Sequence, residues 1–223
     1  MEDCLVKKKL FVLLLSLFLL SGCVKADIGV KVNENGSVDT SVLMGIDKGV
    51  YGMIEGTSDD PIAEMKTDLE DEGFKIEDYE TDKYKGMKAK KTFKNIDDFS
   101  LDSATATDSP FDIKIDKGLF STKYTVKGSF AGEGGEISSE EQAMYNQFDL
   151  TFTLQLPGKI GDNNAKKVEG NKLTWDLSLN KTTEIKAEST KTNTVTAVIS
   201  VALLIIIVIG IGYIIFKKKR KVS

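Results

Sequence analysis

Phe148-Asp149-Leu150-Thr151-Phe152-Thr153-Leu154-Gln155-Leu156-Pro157-Gly158 alternates apolar and polar side chains and then breaks at a Pro-Gly pair. A period of two places all the apolar side chains on one face, so this stretch predicts a half-buried strand closed by a turn. The pattern continues downstream after a polar loop. Lys167-Val168-Glu169 and Leu173-Thr174-Trp175-Asp176-Leu177-Ser178-Leu179 flank a turn at Gly170-Asn171-Lys172, and residues 181–188 predict one more strand.

Upstream, Ile28, Val30 and Val32 alternate with Asp27, Gly29 and Lys31. Asn33-Glu34-Asn35-Gly36 turns the chain, because Asn-Gly tolerates the positive φ that tight hairpins need, and Val38, Thr40, Val42 and Met44 resume the alternation. Asp59-Asp60-Pro61 predicts a helix start, with a carboxylate cap, proline in the first turn, Ile62, Met65 and Leu69 on one face and Gly73 as the stop. Phe74, Ile76 and Tyr79 lead into an extended segment that returns after Asp82, where Met87, Ala89 and Phe93 share one face with Lys91 intruding. A further hairpin is predicted from Phe111 to Phe130 around Asp116-Lys117-Gly118. Ser138-Ser139-Glu140-Glu141 caps a short helix containing Ala143, Met144 and Tyr145. Short connections favour antiparallel pairing. The fold class expected is therefore α+β: a single antiparallel, strand-rich domain with seven or eight strands and two principal helices, not a parallel sheet.

The two ends of the chain read differently. Lys7, Lys8 and Lys9 precede an apolar run from Leu10 to Leu20, too short to span a bilayer, followed by Ser21-Gly22-Cys23. This is the layout of an export signal. Its last four residues, Leu20-Ser21-Gly22-Cys23, resemble the lipobox of bacterial lipoproteins, which implies cleavage between Gly22 and Cys23, attachment of a diacylglyceryl group to the Cys23 thiol and a mature chain starting at Cys23. A second charge-free run, Val195 to Phe216, would form roughly 33 Å of helix, enough for a hydrocarbon core of about 30 Å. Lys217-Lys218-Lys219-Arg220-Lys221 follows it directly, which places the tail in the cytoplasm by the positive-inside bias. The organisation expected is a signal peptide at 1–22, an extracytoplasmic domain at 23–193, a single transmembrane helix at 195–216 and a basic cytoplasmic tail at 217–223, in the cell membrane.

Charge must be read by segment. The chain has 30 Lys and Arg against 34 Asp and Glu; without the signal and the tail, 22 basic and 32 acidic residues remain, and none of the basic ones is arginine. A domain with about ten net negative charges repels phosphate backbones, so nucleic acid is not an expected partner. The two cysteines are Cys4, within the signal, and Cys23, so no disulfide is expected in the exported domain. There is no histidine, which removes the commonest general base and transition-metal ligand. No catalytic residue, metal ligand or cofactor is expected, and the chain reads as non-enzymatic. The pairs Asp59-Asp60, Asp97-Asp98 and Glu140-Glu141 fit capping and solvation, and Gly132-Glu133-Gly134-Gly135 lacks the lysine and helix spacing of a phosphate cradle. Trp175, in an alternating strand, is expected in the core, not stacked on a sugar.

One cluster reverses the local charge: Lys83, Lys85, Lys88, Lys90, Lys91 and Lys94. Two readings fit it. The six lysines could meet anionic headgroups or envelope phosphates, at about 1 kcal/mol each near a charged surface, or form a solvated strand face that discourages edge pairing.

The Cys23 lipobox, the 24–46 hairpin, the 148–157 strand, the segment LPGKIGDNNAKKVEGNKLTWDLSL from Leu156 to Leu179 and the terminal apolar helix together resemble the LppM-type envelope lipoproteins of Gram-positive bacteria. The resemblance implies an exported α+β domain that binds envelope lipids or glycolipids, with no enzymatic activity. Gly158 and Gly170 stand at turns and Trp175 and Leu177 in the core, so no binding residue transfers. Short links to both anchors put the domain close to the outer leaflet, with the start of the first strand and the end of the last strand facing the membrane. The function expected is a membrane-anchored lipoprotein whose cavity, under or beside the sheet, opens to the bilayer and accepts part of a lipid. The alternative is a membrane-tethered scaffold, sensor or chaperone module for another envelope protein.

Overall fold

Strand β7 (Phe148–Gln155) carries the alternation at 148–156, with Phe152, Leu154 and, just beyond the strand, Leu156 fully buried. The computed structural model describes residues 22–55, 60–99, 111–132, 134–135 and 138–219. The export signal, Leu20, Ser21, Asp59, Glu133 and the tail from Arg220 onward lie outside the described residues. Before β7 come β1 (Val24–Val32), β2 (Val38–Asp47), α1 (Lys48–Ile54), α2 (Pro61–Asp71), β3 (Lys75–Glu80), β4 (Tyr84–Phe93), β5 (Phe111–Lys117), β6 (Ser121–Phe130) and α3 (Ser139–Tyr145). After it come β8 (Lys159–Asn163), β9 (Lys167–Glu169), β10 (Lys172–Asp176), β11 (Thr183–Thr192) and α4 (Thr194–Lys219).

The strands form two sheets, a seven-stranded one in the order β3-β4-β2-β1-β7-β10-β9 and a four-stranded one in the order β5-β6-β11-β8. The described residues thus hold eleven strands where seven or eight were expected. Lys159–Asn163, read from the sequence as part of a polar loop, pairs as β8 against β11. One pair departs from antiparallel order: β1 and β7 run parallel, Val24 opposite Phe148 and Val30 opposite Leu154. Chain topology is the reason. After the β1–β2 hairpin the chain builds α1, α2, β3 and β4, then β5 and β6 of the second sheet and α3, and re-enters the first sheet beside the start of β1.

Both predicted helices form with the expected caps. Asp60 Oδ1 accepts from Ile62 N (3.0 Å) and Ala63 N (3.3 Å) with Pro61 in the first turn, while Ser138 and Glu141 make a reciprocal capping box at α3. Helix α1 was not expected from the sequence. Asp47 Oδ1 caps Gly49 N at 2.9 Å, and the two glycines of KGVYGMI mask a short helix that buries Tyr51.

One face of the large sheet carries the core, and two covers share it. Over β1, β7 and β10 lies the small sheet, and Val30, Phe152, Leu154, Leu173 and Trp175 pack against Tyr124, Val126, Phe130, Ile185 and Ala187. Over β2 and β4 lie α1 and α2, with Val42, Ile46, Met87 and Ala89 against Tyr51, Ile62, Leu69 and Phe74. Phe152 is the hub of the first cluster, its ring 5.0 Å from Phe130, 5.4 Å from Phe111 and 5.7 Å from Trp175. Trp175 is core, as expected, and its indole N–H donates to Asn164 Oδ1 at 3.0 Å. The same oxygen accepts from Lys186 N at 2.8 Å, and Asn164 Nδ2 donates to Glu184 O at 2.9 Å, so one asparagine ties the two sheets together. Gly158 turns the chain between them at φ +84°, where an added Cβ would come within 2.4 Å of Thr190 O.

The two ends of the domain lie far apart. Cys23 opens β1, and its carbonyl accepts from Asp47 N at 2.7 Å. At the other end of the same strand lies the Asn33–Ser37 turn, with Gly36 at φ +90°. β11 finishes at that far end: Ser189 Oγ donates to Pro157 O at 2.9 Å, and Lys191 pairs with Glu34. The start of the first strand and the end of the last therefore sit at opposite ends of the domain, about 30 Å apart for a nine-residue strand at about 3.3 Å per residue.

Beyond β11, α4 holds the second apolar run. Its 26 residues make about 39 Å of helix. Counted over the described residues alone, no helix is long and apolar enough to cross a membrane. The described large side chains from Ile199 to Ile211 are all more than half exposed.

Candidate functional site

Among the described residues, neither helices nor strands cover the second face of the large sheet. Period two sends to it the residues that alternate with the core: Gly29 and Lys31 from β1, Asp39 and Ser41 from β2, Lys88, Lys90 and Thr92 from β4, Thr153 and Gln155 from β7, and Lys172 from β10. These side chains line a concavity of about 440 Å³ open to solvent. Its floor is low at Gly29, where an added Cβ would approach Ser41 Oγ to 2.6 Å. The lining is hydroxyl, amide and ammonium groups around one carboxylate, a donor-rich surface suited to a phosphorylated or glycosylated headgroup.

Asp39 organises the upper part of the groove. Its carboxylate accepts from Asn33 Nδ2 (2.9 Å) and Thr92 Oγ1 (2.8 Å), and Lys31 Nζ lies 3.7 Å away. The asparagine and threonine hydrogen bonds, followed by Lys31, hold its pKa below the ordinary aspartate value. Lys90 is held by Glu77 Oε2 at 2.7 Å, and that hydrogen bond and charge lower the Glu77 pKa. Lys88 and Lys172 form no salt bridge among the described residues; Glu77 and Glu169 stand opposite them in register, and the Lys88 charge adds to the lowering of the Glu77 pKa.

The six-lysine strip divides between the two faces of β4. Lys88 and Lys90 reach the open face. Lys85 and Lys91 belong to the core face and do structural work: Lys91 Nζ sits 4.7 Å from the Phe93 ring and 5.2 Å from the Phe74 ring and donates to Glu72 O (2.6 Å) at the end of α2. Lys85 Nζ bonds Glu55 Oε1 at 2.5 Å and lies over Tyr51 at 5.1 Å, and the Glu55 hydrogen bond raises its pKa. Lys94 follows the end of β4, is exposed and does not line the groove. Lys83 belongs to the Cys23 end, where its Nζ (3.1 Å) and Tyr84 Oη (2.9 Å) both donate to Gly22 O. An added Cβ at Gly22 would stand 2.9 Å from Gln147 O, so packing favours glycine at position 22. The Cys23 thiol is free and half-buried.

Sequence reasoning missed Lys31, Lys172, Gly29, Ser41, Thr92, Thr153 and Gln155. All but Lys172, which the sequence placed in a turn, alternate with the apolar positions of strands it had identified, but only the β1–β7 pairing brings β10 and β4 to opposite rims of one groove. A second concavity, about 290 Å³, lies on the small sheet among Lys127, Asp162, Lys186 and Glu188, with both signs of charge. Neither concavity is the apolar cavity expected to open to the bilayer, and aromatic rings fill the space between the sheets. Among the described residues no group of acidic or thiol side chains could hold a metal ion.

Residues 25–191, all eleven strands but the edges of β1 and β11, match the LppM domain. The chain belongs to the LppM domain family. The chain is also similar to an uncharacterized protein of Archaeoglobus fulgidus, 29% identical over a 181-residue alignment that covers 76% of this chain and 77% of that one. Among solved structures, the folded domain of Mycobacterium tuberculosis LppM, determined by NMR, aligns over 79% of this chain and 94% of its own, with a TM-score of 0.47 and 11% identity.

Proposed function

We propose that this LppM domain protein is a non-enzymatic, membrane-anchored lipoprotein of the cell envelope that binds the polar headgroup of an anionic lipid or glycolipid on the open face of its large sheet. The anchors are the diacylglyceryl group on Cys23 and α4 as a single transmembrane span, with the domain outside and the basic tail in the cytoplasm. The lipobox, the length and composition of α4 and the five basic residues after it support that arrangement.

The observation that carries the binding reading is the groove around Gly29. Lys88 and Lys172, which form no salt bridge among the described residues, supply charge, and Ser41, Thr92, Thr153 and Gln155 supply the donors and acceptors that sugar hydroxyls require. This replaces the expectation of an acyl chain in an apolar cavity with recognition of the headgroup. The full-length chain, purified from membranes of its host in mild detergent and analysed by native mass spectrometry, should retain an anionic lipid class that Lys88→Gln and Lys172→Gln together release. Loss of no lipid on that double substitution contradicts the reading.

A further inference from the structure

We propose that the domain lies lengthwise on the bilayer and touches it at both ends, each end inserting exposed apolar side chains beside an anchor. The inference rests on the anchoring proposed above and adds an orientation and a contact surface to it.

Slack is absent at the α4 end. Asn193 N donates to Phe120 O at 2.8 Å, and Asn193 Nδ2 donates to Gly118 O at 2.9 Å. The helix starts at the next residue, Thr194. The β5–β6 turn is thus fastened to the first turn of α4, and the two residues at its tip are Leu119, 76% exposed, and Phe120, 55% exposed. Exposure of two adjacent large apolar side chains on a turn is unfavourable in water and favourable where a bilayer begins a few ångströms away.

The Cys23 end repeats the arrangement with different elements. β1 begins one residue after Cys23, between the end of β2, which runs into α1, and the start of β7, which follows α3. Val24 N donates to Gln147 O at 3.2 Å, and Asp47 N donates to Cys23 O, so both neighbours are hydrogen-bonded to this end of the strand. They carry Val50 and Met53 on one side of Cys23 and Met144 and Phe148 on the other, with Met53 81% exposed. Outside α4, the described large apolar side chains that are exposed all belong to these two ends except Val168 on the edge strand β9.

The two ends are about 30 Å apart along β1, and each is tied to its anchor within one residue. An upright domain, standing on α4, would hold Cys23 far above the leaflet that must receive its lipid chains, because the thioether-linked glycerol is only a few bonds long. Only an orientation with the long axis near the membrane plane seats both anchors, and that orientation brings both apolar tips to the interface.

The test uses the full-length chain reconstituted into liposomes, with a nitroxide spin label at Leu119→Cys or Met53→Cys and, as a solvent reference, at the exposed Lys166→Cys. Collision with oxygen and with a water-soluble nickel chelate reports depth. The proposal expects labels at both 119 and 53 to favour oxygen while the label at 166 favours nickel. A label at 53 as nickel-accessible as that at 166 overturns it. Mass spectrometry of Cys23 and alkaline extraction of the same preparation separate the cases: a lipidated Cys23 and an integral α4 with an aqueous tip overturn the orientation alone, whereas an unmodified Cys23 overturns the anchoring on which it rests.

Discussion

Replacing Lys88 and Lys172 by glutamine separates binding from stability. Neither ammonium forms a salt bridge among the described residues, and both face the groove from strands on opposite sides of β1. Each lysine near an anionic headgroup contributes about 1 kcal/mol, so the double substitution should cost about 2 kcal/mol, or roughly a 30-fold rise in Kd at about 1.4 kcal/mol per decade. The fold should lose less than about 0.5 kcal/mol, since the changes are on an open surface. Lys91→Gln is the counterpart: it removes an ammonium lying over two rings and bonded to the end of α2, so it should lower stability by about 1 to 2 kcal/mol and leave headgroup affinity nearly unchanged. Binding is read by calorimetric titration with soluble short-chain anionic phospholipid, and stability by thermal unfolding. Equal affinities for the wild type and the double variant, at low salt, would refute the assignment of the groove.

Phe152→Ala should destabilise the domain by about 3 to 5 kcal/mol, because a fully buried ring with three aromatic neighbours leaves a cavity between the sheets; denaturant titration checks it. Thr40 Oγ1 is buried with no hydrogen-bond partner among the described residues, so Thr40→Val should be neutral or stabilising by about 1 kcal/mol in the same assay, and a clear loss would mean that the hydroxyl is satisfied. Asp39 has a depressed pKa in the folded state, so its contribution to stability is present above the ordinary aspartate pKa and is lost as pH falls through the lowered value. Asp39→Asn should therefore flatten the acid limb of the stability profile and leave the region above pH 5 with the same slope.

Period two made the strands legible because each face of the large sheet has one environment: Phe152 and Leu154 meet the small sheet, while Thr153 and Gln155 meet water. Caps made α2 and α3 legible for the same local reason, as Asp60 and Ser138 satisfy their own helix starts. The failures are long-range. Nothing near Lys159 reveals that it will find β11, and nothing near Val24 reveals that Phe148 will pair alongside it. The lysine strip shows both sides of this limit: composition located it, but only the register of β4 shows Lys88 and Lys90 on the groove and Lys85 and Lys91 under the helices. The separation of Cys23 from Asn193 is the same kind of fact, a property of how two sheets stack and not of either segment.

The most direct test of headgroup recognition is amide hydrogen exchange of the full-length chain in nanodiscs, compared between zwitterionic lipid alone and the same lipid with added anionic glycolipid from the host envelope. The account predicts slowed exchange in β1, β2 and β4 around Gly29, Ser41 and Lys90, with β8 and the outer face of β11 unchanged. Slowing confined to the small sheet, or none in any strand, would contradict it.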